Sequence, residues 1–512
     1  MSHWRAIADF LASPAAHHGI APEVIDTHSA RVVLAGDRAW KMRRPVDYGW
    51  MDYSTVERRL AMSDREVDLN RRTAPDLYLG VGWVVRDADD RMHCRAPGED
   101  NEGDTRLEPA VVMRRFRAAD LLDTIARRGE LDRRLAERTG RAAAMLHLAS
   151  EIRDQPVRLA NFVHDEAVEL AKLPVLDLER TRVLGRDMKA VADGLRDLAA
   201  SRRSDGAVRF CHGDLHLKNI VLWHGEPAPF DSIEFNDDFA VIDVLYDLAF
   251  LLMDLIHRGL VDAASAALNG WAETMGARGE VNERVAWGGL ALLPLFMAVR
   301  AAIRAKVGGL AAREDPSKAD EARAYLDLAI DLLSPAAPPR LLAVGGRSGT
   351  GKSALARALA PGLGGRPGAV ILRSDAIRKG LAGVAPEERL PPGHYTPESS
   401  REVYGAMLRR ARMALGGGRS VILDAACLQP AERAAAAELA RDCGVGFTGI
   451  WLAAPLELRL ERIAGRRGDV SDATAELARR QETMGTDPDG WLTLDAGRAM
   501  ADKVAQVAAA CA

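Results

Sequence analysis

Apolar and polar positions alternate in short runs over residues 1–116, which predicts a β-rich segment with few helices. An amphipathic stretch at 3–12 predicts a helix that ends at Ser13-Pro14. Gly36-Asp37 separates two apolar runs and predicts a hairpin turn. A second helix is expected to open at Ser63. Strands are expected at 24–25, 31–35, 38–42, 78–85 and 110–116.

From Asp120 onward the apolar positions recur at helical spacing, which predicts a mostly α-helical segment. The longest apolar run, 288–299, ends at Arg300 and is too short to span a bilayer. We therefore expect a soluble protein. Helices are expected near 131–150, 160–173, 178–202, 241–258 and 318–333.

The segment 334–340 is rich in proline and predicts an extended linker between two domains. After it, short apolar runs at 341–344, 369–372, 420–424 and 449–452 alternate with helical patterns. This alternation predicts a three-layer α/β/α sandwich with a mostly parallel sheet. Ligands bind such sheets at the carboxyl ends of the strands.

Composition narrows the class of protein. Apolar residues make up 48% of the chain, enough for well-cored globular domains, and the five cysteines are scattered without metal-site spacing. This cysteine pattern is typical of a reducing compartment and predicts a cytoplasmic location. The net charge is −4, although residues 340–512 carry 24 basic against 19 acidic side chains. Because no basic stripe is interleaved with aromatic residues, a small-molecule substrate is favoured over nucleic acid.

The chemistry is concentrated in the stretch 212–220, which reads H-x-D-x-x-x-x-N. Phosphoryl transfer from Mg-ATP needs a carboxylate that orients the attacking hydroxyl and oxygen ligands that hold the metal. Asp214 and Asn219 lie five residues apart, and Asp231 follows a predicted strand. A surface turn rich in histidine and aspartate is the alternative interpretation of this stretch alone.

Upstream residues favour a kinase. Lys41 lies on a predicted strand and Glu66 on the following helix, a pairing that positions ATP phosphates in kinase folds. Met113 lies in the predicted strand 110–116, which fits the linker between two kinase lobes, where backbone groups meet adenine. No glycine-rich loop precedes Lys41; Thr27-His28-Ser29-Ala30 takes its place.

In order and spacing, these residues resemble the aminoglycoside phosphotransferase family, the small-molecule branch of the protein-kinase-like fold. The resemblance implies a kinase domain over 1–335, with a small lobe at about 20–116 and a large lobe at about 118–333. It makes Asp214 the catalytic base, Asn219 and Asp231 magnesium ligands, Lys41 the phosphate ligand and Glu66 its ion-pair partner. Two options stay open for the acidic stretch after Asp231. Asp243 and Asp247 are expected to cap the following helix, 241–258, whereas Glu234 or Asp238 faces either the protein or a cationic substrate.

The last domain, 341–512, begins with a phosphate-binding loop between a strand and a helix. The loop reads G-x-x-x-x-G-K-S, in which backbone N–H groups surround the phosphates, Lys352 reaches the β and γ oxygens and Ser353 ligates magnesium. The predicted nucleotide contacts are Gly346, Arg347, Ser348, Gly349, Thr350, Gly351, Lys352 and Ser353.

Asp375 follows the second strand of this domain, with Arg378 three residues later. This D-x-x-R resembles polynucleotide 5′-kinases and the related zeta-toxin and chloramphenicol-phosphotransferase kinases. The resemblance makes Asp375 the base for an acceptor hydroxyl and Arg378 the ligand of an acceptor anion; a structural salt bridge is the alternative. Asp424 ends a buried strand and is a candidate magnesium ligand. Arg462, Arg466 and Arg467 fit a lid whose arginines neutralise transition-state charge, or a solvated face.

The sequence thus predicts a bifunctional phosphotransferase that uses ATP and Mg²⁺ in each of two domains, on separate hydroxyl acceptors. The acceptor is expected to be a small molecule, a sugar or a nucleoside or 5′-hydroxyl end. In the alternative interpretation only one domain is catalytic. The other is then a nucleotide-binding regulatory module or a nucleic-acid end-repair module.

Overall fold

The computed structural model describes residues 2–99, 101–157, 159–277, 279–385, 388–465, 471–472, 474–483 and 488–511. Arg466 and Arg467 lie outside the described residues. The chain divides into two compact units, which are described separately below. The first comprises Met1–Leu135, Leu146–Arg153 and Val208–Asp247; the second comprises Ala136–Met145, Asp154–Ala207 and Leu248–Ala512.

The first unit contains an antiparallel sheet of six strands in the order β1-β2-β3-β6-β4-β5. The predicted hairpin is confirmed, since Ala35 pairs with Arg38 across Gly36-Asp37. One face of the sheet buries Val33, Trp40 and Met42 against the N-terminal helix. The strands are β1 Glu23–Asp26, β2 Ala30–Ala35, β3 Arg38–Arg43, β4 Tyr78–Arg86, β5 Met92–Arg95 and β6 Thr105–Arg114.

The helix that carries Glu66 begins earlier than expected. It spans Val56–Asn70 and its N-cap is Thr55, whose hydroxyl accepts a hydrogen bond from the N–H of Arg58. The expected start at Ser63 is wrong because that hydroxyl bonds to the carbonyl of Arg59 inside the helix. The N-terminal helices of this unit are α1 Ser2–Leu11, α2 Val56–Asn70 and α3 Leu122–Arg127.

Two short sheets hold the catalytic stretch. β7 (Val208–Phe210) pairs with β10 (Val241–Asp243), and β8 (Ile220–Trp223) pairs with β9 (Glu226–Pro229), all antiparallel. The helix expected at 241–258 therefore loses its first turn to a strand. A short helix, α8, spans Asp237–Ala240, and α9 spans Val244–His257.

Helices dominate the next part of the chain, most of which belongs to the second unit. The helix expected at 178–202 is interrupted at Leu195, directly after Gly194. One described stretch, Glu280–Ala311, is apolar and long enough to span a bilayer, but 78% of its most apolar window is buried, as in a core helix. The helices are α4 Arg133–Ala149, α5 Leu159–Leu170, α6 Leu178–Gly194, α7 Arg196–Ser204, α10 Val261–Met275, α11 Glu280–Glu283, α12 Leu293–Ala311 and α13 Ala319–Leu333.

The second unit also contains a five-stranded sheet in the order β12-β13-β11-β14-β15. Every pairing in it is parallel, which confirms the predicted α/β architecture. The strands are β11 Arg340–Gly346, β12 Val370–Arg373, β13 Val421–Asp424, β14 Gly446–Ala453 and β15 Leu492–Asp495. The helices are α14 Lys352–Leu359, α15 Ser374–Leu381, α16 Pro397–Gly416, α17 Pro430–Asp442, α18 Leu456–Ala464, α19 Ala475–Arg480 and α20 Met500–Cys511.

Candidate active sites

Lys41 is the centre of the cleft in the first unit. Its Nζ lies 2.9 Å from Oε1 of Glu66 and 2.5 Å from Oδ1 of Asp231. The Glu66 side chain is fully buried on α2, whereas the Asp231 side chain is 44% exposed. The structure therefore brings together three residues that are 190 positions apart in sequence. The structure thus brings together the strand lysine, the helix glutamate and the aspartate that the sequence analysis predicts for one kinase site.

Asp214 and Asn219 face each other across the catalytic loop. Nδ2 of Asn219 donates to Oδ2 of Asp214 at 2.9 Å and to its backbone carbonyl at 3.0 Å. This interaction fixes the rotamer of Asn219, whose amide oxygen is the atom able to ligate a metal. The Asp214 side chain is 39% exposed and remains accessible to a hydroxyl acceptor. Asp214 also lies close enough to Asp231 for its negative charge to act to raise the pKa of Asp231.

Asp247 anchors the catalytic loop from α9. Its two carboxylate oxygens accept the N–H groups of His212 at 3.0 Å and Gly213 at 2.9 Å. Nε2 of His147 also lies 3.0 Å from the carboxylate, and both side chains are fully buried. Cys211 is next to them and donates to the carbonyl of Ile242. Asp247 is therefore structural, but the predicted cap of the following helix is wrong for it, because its carboxylate is used to hold the backbone that presents Asp214.

Asp243 has the capping role that the sequence predicts. Its Oδ1 accepts the N–H of Leu245 at 2.8 Å and caps the start of α9. Glu234, in contrast, faces inward. It is 5% exposed and accepts hydrogen bonds from Arg43 at 2.5 Å and from the hydroxyl of Tyr53 at 2.6 Å. Glu234 therefore faces the protein, not a substrate.

Arg43 is a residue that the sequence analysis missed. It lies two positions after Lys41 on the same face of β3, is 1% exposed, and its Nη2 reaches Oε2 of Glu66 at 2.7 Å. Because Nη2 also binds Glu234, Arg43 ties the segment after Asp231 to α2. Its only sequence signal is the period-two spacing from Lys41.

Lys41 and Asp231 each stabilise the charged form of the other. Burial opposes a charge on Lys41, but the carboxylates of Asp231 and Glu66 raise its pKa well above the ordinary value. Burial also works to raise the pKa of Asp231, yet the Lys41 ammonium outweighs it and the pKa is lowered. Lys41 is thus held protonated and Asp231 ionised, the states that phosphate and metal binding require.

Met113 and the Thr27–Ala30 segment are predicted to lie near adenine and near the phosphates, and the structure shows the local conformation of each. Met113 is buried at the end of β6 and pairs with Ala39 of β3. The Thr27–Ala30 segment forms a tight turn between β1 and β2, in which the N–H of Ala30 bonds to Oγ1 of Thr27 at 2.9 Å. A hydroxyl therefore stabilises the turn at the place where glycines stabilise it in other kinases.

The phosphate-binding loop of the second unit runs from the end of β11 to the start of α14. Gly346 and Gly349 have φ values of +140° and +88°. A Cβ at Gly346 would lie 2.6 Å from the carbonyl of Leu452, and one at Gly349 would lie 2.7 Å from that of Arg459. Only glycine fits at both places, because either side chain would be strained and would collide with backbone. The two glycines thereby give the loop backbone the curvature that an anion-binding loop needs.

Lys352, Ser353 and Asp424 meet at the carboxyl ends of the central strands. The Lys352 ammonium lies 3.2 Å from the carbonyl of Arg347, and the Ser353 hydroxyl bonds to Asp424. Asp424 is 5% exposed, and burial raises its pKa although Lys352 opposes the shift. A buried carboxyl that is only partly compensated fits a cation site, since a divalent metal would stabilise its ionised form.

Asp375 lies in the first turn of α15, beside the end of β12. Its charge acts on Asp424 and on Tyr395, so it lies at the same edge as the phosphate-binding loop. Arg378 is 9% exposed; its Nη1 donates to the carbonyl of His394 at 2.8 Å and to Oγ of Ser399 at 3.0 Å. Arg378 thus braces the segment that precedes α16.

Two contacts brace the loop from the other side. Arg462 donates to the carbonyls of Thr350 at 3.1 Å and Ala496 at 3.0 Å. Gln481, another residue that the sequence analysis missed, accepts the N–H of Ser348 at 2.7 Å through Oε1. Since Ser348 belongs to the predicted nucleotide contacts, Gln481 occupies a donor that a phosphate oxygen would use. No sequence motif marks it.

Comparison with known proteins gives both regions a class. Residues 90–283 match the phosphotransferase enzyme family, and residues 341–484 match an AAA domain. The chain is therefore an ATP-using enzyme of the kinase class, with phosphotransferase activity in general terms. The resemblances inferred from sequence are confirmed at this level, as is the combination of kinase-like and P-loop folds.

Solved structures resemble separate parts of the chain. A choline/ethanolamine kinase family protein from Mesorhizobium loti is 15% identical, with a TM-score of 0.34, and covers 64% of this chain and 95% of its own. The APS kinase CysC of Mycobacterium tuberculosis is 19% identical, with a TM-score of 0.26, over 34% of this chain and 96% of its own. A gluconokinase from Sinorhizobium meliloti is 22% identical, with a TM-score of 0.25, over 34% and 95%.

Two mycobacterial proteins are similar over nearly the whole chain. The uncharacterized proteins Rv2004c of Mycobacterium tuberculosis and Mb2027c of Mycobacterium bovis are each 33% identical over 469 residues. The alignment covers 89% of this chain and 88% of each relative. The chain therefore belongs to the same family as these mycobacterial proteins, and it carries a phosphotransferase-family region followed by a P-loop kinase-like region.

Proposed function

We propose that the chain is a bifunctional phosphotransferase in which each region binds its own Mg-ATP and transfers the γ-phosphate to a hydroxyl acceptor. The observation that carries the proposal is the position of Lys41, 2.9 Å from Glu66 and 2.5 Å from Asp231. The second site is supported by the phosphate-binding loop, with Lys352 and Ser353 beside Asp424. The proposed boundary between the two enzymes is the proline-rich segment 334–340.

In the kinase-like region, Asp214 accepts the proton of the acceptor hydroxyl as its oxygen bonds to the γ-phosphorus. The bond from that phosphorus to the bridging oxygen breaks, and ADP leaves. Lys41 holds the phosphates, and Glu66 and Arg43 hold Lys41 and α2 in place. Asn219 and Asp231 would hold magnesium, which neutralises charge on the phosphates. Met113 lies where the backbone would meet adenine.

In the P-loop region, the backbone N–H groups of the loop and Lys352 hold the phosphates. Asp375 takes the proton of a second acceptor, and Arg378 is the proposed ligand of an acceptor anion. Ser353 and Asp424 would hold the metal. Arg462, Arg466 and Arg467 are the proposed arginines that stabilise the transferring phosphate.

The acceptors are proposed to be small molecules. Aromatic residues make up only 5% of the chain. The sequence also lacks the alternation of basic and aromatic residues that is typical of proteins that bind single-stranded nucleic acid. A sugar or nucleoside hydroxyl fits both sites, and a 5′-hydroxyl end stays an alternative for the P-loop region. A cytoplasmic location is also proposed, and the five free cysteines support it because thiols stay reduced in that compartment.

The test is transfer of labelled γ-phosphate from ATP to a panel of sugars, nucleosides and 5′-hydroxyl oligonucleotides. We expect Asp214→Ala to abolish labelling of one set of acceptors and Lys352→Ala to abolish labelling of another. The matched control is Lys189→Ala, which removes an exposed lysine paired with Asp193. If neither site variant reduces labelling of any acceptor, the proposal is wrong.

The regulatory alternative is favoured by one observation. Gln481 holds the N–H of Ser348, so nucleotide has to displace a side chain before it occupies the loop. Under this alternative the P-loop region binds ATP without transferring phosphate. Loss of all labelling in Asp214→Ala, with no loss in Lys352→Ala, would support it.

A further inference from the structure

The open edge of the P-loop sheet is covered by a helix from the preceding helical region. β12 is the last strand of the sheet and pairs with β13 on one side only. On its other side lies α10, whose Asn269 side chain bonds to the strand. Nδ2 of Asn269 donates to the carbonyl of Ala369 at 3.1 Å, and Oδ1 accepts the N–H of Ile371 at 2.6 Å.

These two bonds have the pattern of a parallel strand. In a parallel ladder, a residue makes two hydrogen bonds to the neighbouring strand. Its N–H donates to the carbonyl of the residue before the one that faces it, and its carbonyl accepts the N–H of the residue after that one. The amide of Asn269 makes this pair of bonds around Val370. It therefore satisfies backbone groups that an edge strand leaves unpaired.

One turn further along α10, Glu273 holds the end of the same strand. Its carboxylate binds Arg373 through two parallel bonds, Nε to Oε2 at 2.7 Å and Nη2 to Oε1 at 2.5 Å. The two side chains are 18% and 10% exposed. Burial disfavours the charged form of both side chains. The guanidinium of Arg373 nevertheless lowers the pKa of Glu273, and the carboxylate of Glu273 raises the pKa of Arg373, so that both stay charged. Such a bidentate pair fixes orientation as well as distance.

The helix that makes these contacts is itself fixed. α4 crosses α10 at Gly140 and Gly270, where a Cβ would lie 2.0 Å from the carbonyl of Ala267 and 2.3 Å from that of Glu137 respectively. Glu137 and Arg141 of α4 extend the ionic network, since Arg141 pairs with Glu137 at 2.9 Å. Glu137 also lies 3.5 Å from Arg373. Arg373 is thus held from two helices.

Arg373 is next to the proposed acceptor chemistry. It is the last residue of β12, it pairs in register with Asp424, and Asp375 follows two positions later. α15, which carries Asp375, packs close to the residues that follow α10. A Cβ at Gly380 of α15 would lie 3.3 Å from Ala277, two positions after the end of α10. Because Asp375 follows β12 by two positions, a shift of β12 along its axis would displace its carboxylate.

We propose that Glu273 and Asn269 are positioning residues for phosphoryl transfer at the P-loop site, so that α10 completes the acceptor side of that site. They act through Arg373 and β12 on Asp375 and do not touch nucleotide. The inference rests on the proposed role of Asp375. Displacement of a reacting group by about 1 Å costs roughly 100-fold in rate, whereas nucleotide binding depends on a loop elsewhere in the sheet.

The test uses the full chain in an Asp214→Ala background, so that turnover reports the P-loop site alone. The probe reaction is hydrolysis of ATP, with water in the place of the acceptor hydroxyl. We expect Glu273→Gln to lower kcat about 10- to 100-fold and to leave KM for ATP within about twofold. Glu273→Asp, which keeps the charge, is expected to recover part of the loss.

Asn269→Ala is a second variant that retains the ion pair, and a smaller fall in kcat is expected for it. The matched control is Asp442→Asn, which breaks an exposed ion pair with Arg412 in the same region and should leave kcat unchanged. Thermal unfolding of each variant checks that it is folded.

The outcomes separate two failures. If Asp375→Ala lowers kcat but Glu273→Gln and Asn269→Ala match the control, the positioning role is overturned while the proposed function survives. A rise in KM with unchanged kcat overturns it too, since the residues would then support nucleotide binding. If Asp375→Ala itself has no effect, the role of Asp375 and the inference built on it both fail.

Discussion

At the scale of single residues, Glu66 has two cationic partners, and this separates its structural role from its catalytic one. Lys41 binds one carboxylate oxygen and the fully buried Arg43 binds the other. Loss of Lys41 therefore leaves α2 anchored through Arg43. The chemistry should be lost while the fold persists.

Lys41→Met in a Lys352→Ala background is expected to lower turnover by about 100- to 1000-fold, because a fixed donor to the phosphates is lost. The melting temperature should change little, since the Arg43–Glu66 contact remains. Turnover assays and thermal unfolding test both statements. An equal loss of activity in Lys189→Met, an exposed lysine, would contradict the assignment.

Gln481 competes with nucleotide for the N–H of Ser348. Replacement by alanine removes a hydrogen bond that has to break before a phosphate oxygen can enter. We expect Gln481→Ala to bind a fluorescent ATP analogue about two- to tenfold more tightly, as one hydrogen bond is worth about 0.5–1.5 kcal/mol. Weaker binding in a titration would show that the Gln481 side chain assists the nucleotide.

Asp424 gives a prediction on pH. Burial raises its pKa above the ordinary 3.8, so the ionised form is disfavoured in the folded protein. Without metal, this costs stability at pH values above the folded pKa and costs nothing below 3.8. Asp424→Asn should therefore raise the melting temperature most near neutral pH, and the gain should shrink as the pH falls towards 4.

The check is thermal unfolding from pH 4 to 8, with and without Mg-ATP. Mg-ATP should raise the melting temperature of the unsubstituted protein by more than it raises that of the Asp424→Asn variant, because only a carboxylate attracts the cation strongly. A gain for the variant that grows as the pH falls would contradict the shift.

At the scale of elements, Asp243 and Asp247 show how neighbouring carboxylates differ. Asp243 caps α9 through one N–H, whereas Asp247 holds two N–H groups of the catalytic loop and contacts His147. Asp243→Ala is expected to cost about 1 kcal/mol. Asp247→Ala should cost about 3 kcal/mol or more, because buried donors lose their partner. Urea denaturation compares the two.

Element types follow the sequence well where periodicity is strong. Four of the five parallel strands and the hairpin at Gly36-Asp37 have local signals, whereas the edge strand Leu492–Asp495 is not predicted from the sequence. Helix starts are less well marked: Thr55 and Ser63 are both good N-cap residues, and only packing decides between them. The strand Val241–Asp243 reads as helix because its partner, Val208–Phe210, lies far upstream.

The candidate sites divide in the same way. Asp214, Asn219, Lys352 and Ser353 belong to motifs with fixed spacing, so the sequence alone points to them. Arg43 and Gln481 have no such pattern. Gln481 contacts Ser348, more than 130 positions away, and Arg43 contacts Glu234, more than 190 positions away. Asn269 and Glu273 likewise reach residues 100 or more positions away. Contacts of this kind depend on the completed fold.

At the scale of the whole molecule, the cover that α10 gives to β12 predicts how the chain behaves when it is cut. A fragment of residues 338–512 would expose the edge of β12 and the buried Arg373 without Glu273. We expect this fragment to aggregate or to unfold at a lower temperature than the full chain, because open edges pair with other chains. Light scattering and calorimetry of the fragment and the full chain test this.

A fragment that is monomeric and as stable as the full chain would contradict the prediction. A fragment of residues 338–512 with Arg373→Met is the informative companion, since it removes the unpaired charge and leaves the open edge. Partial recovery of stability would assign the defect to the charge, and no recovery would assign it to the edge.

Asn269 ties the two proposed activities to a single gene product. A cell that needed more of one activity than of the other would gain from separate polypeptides, but here separation leaves a strand without its neighbour. The two proposed active sites are consequently made in equal numbers, appear together and are degraded together. Any change in the supply of one is matched, molecule for molecule, by the other.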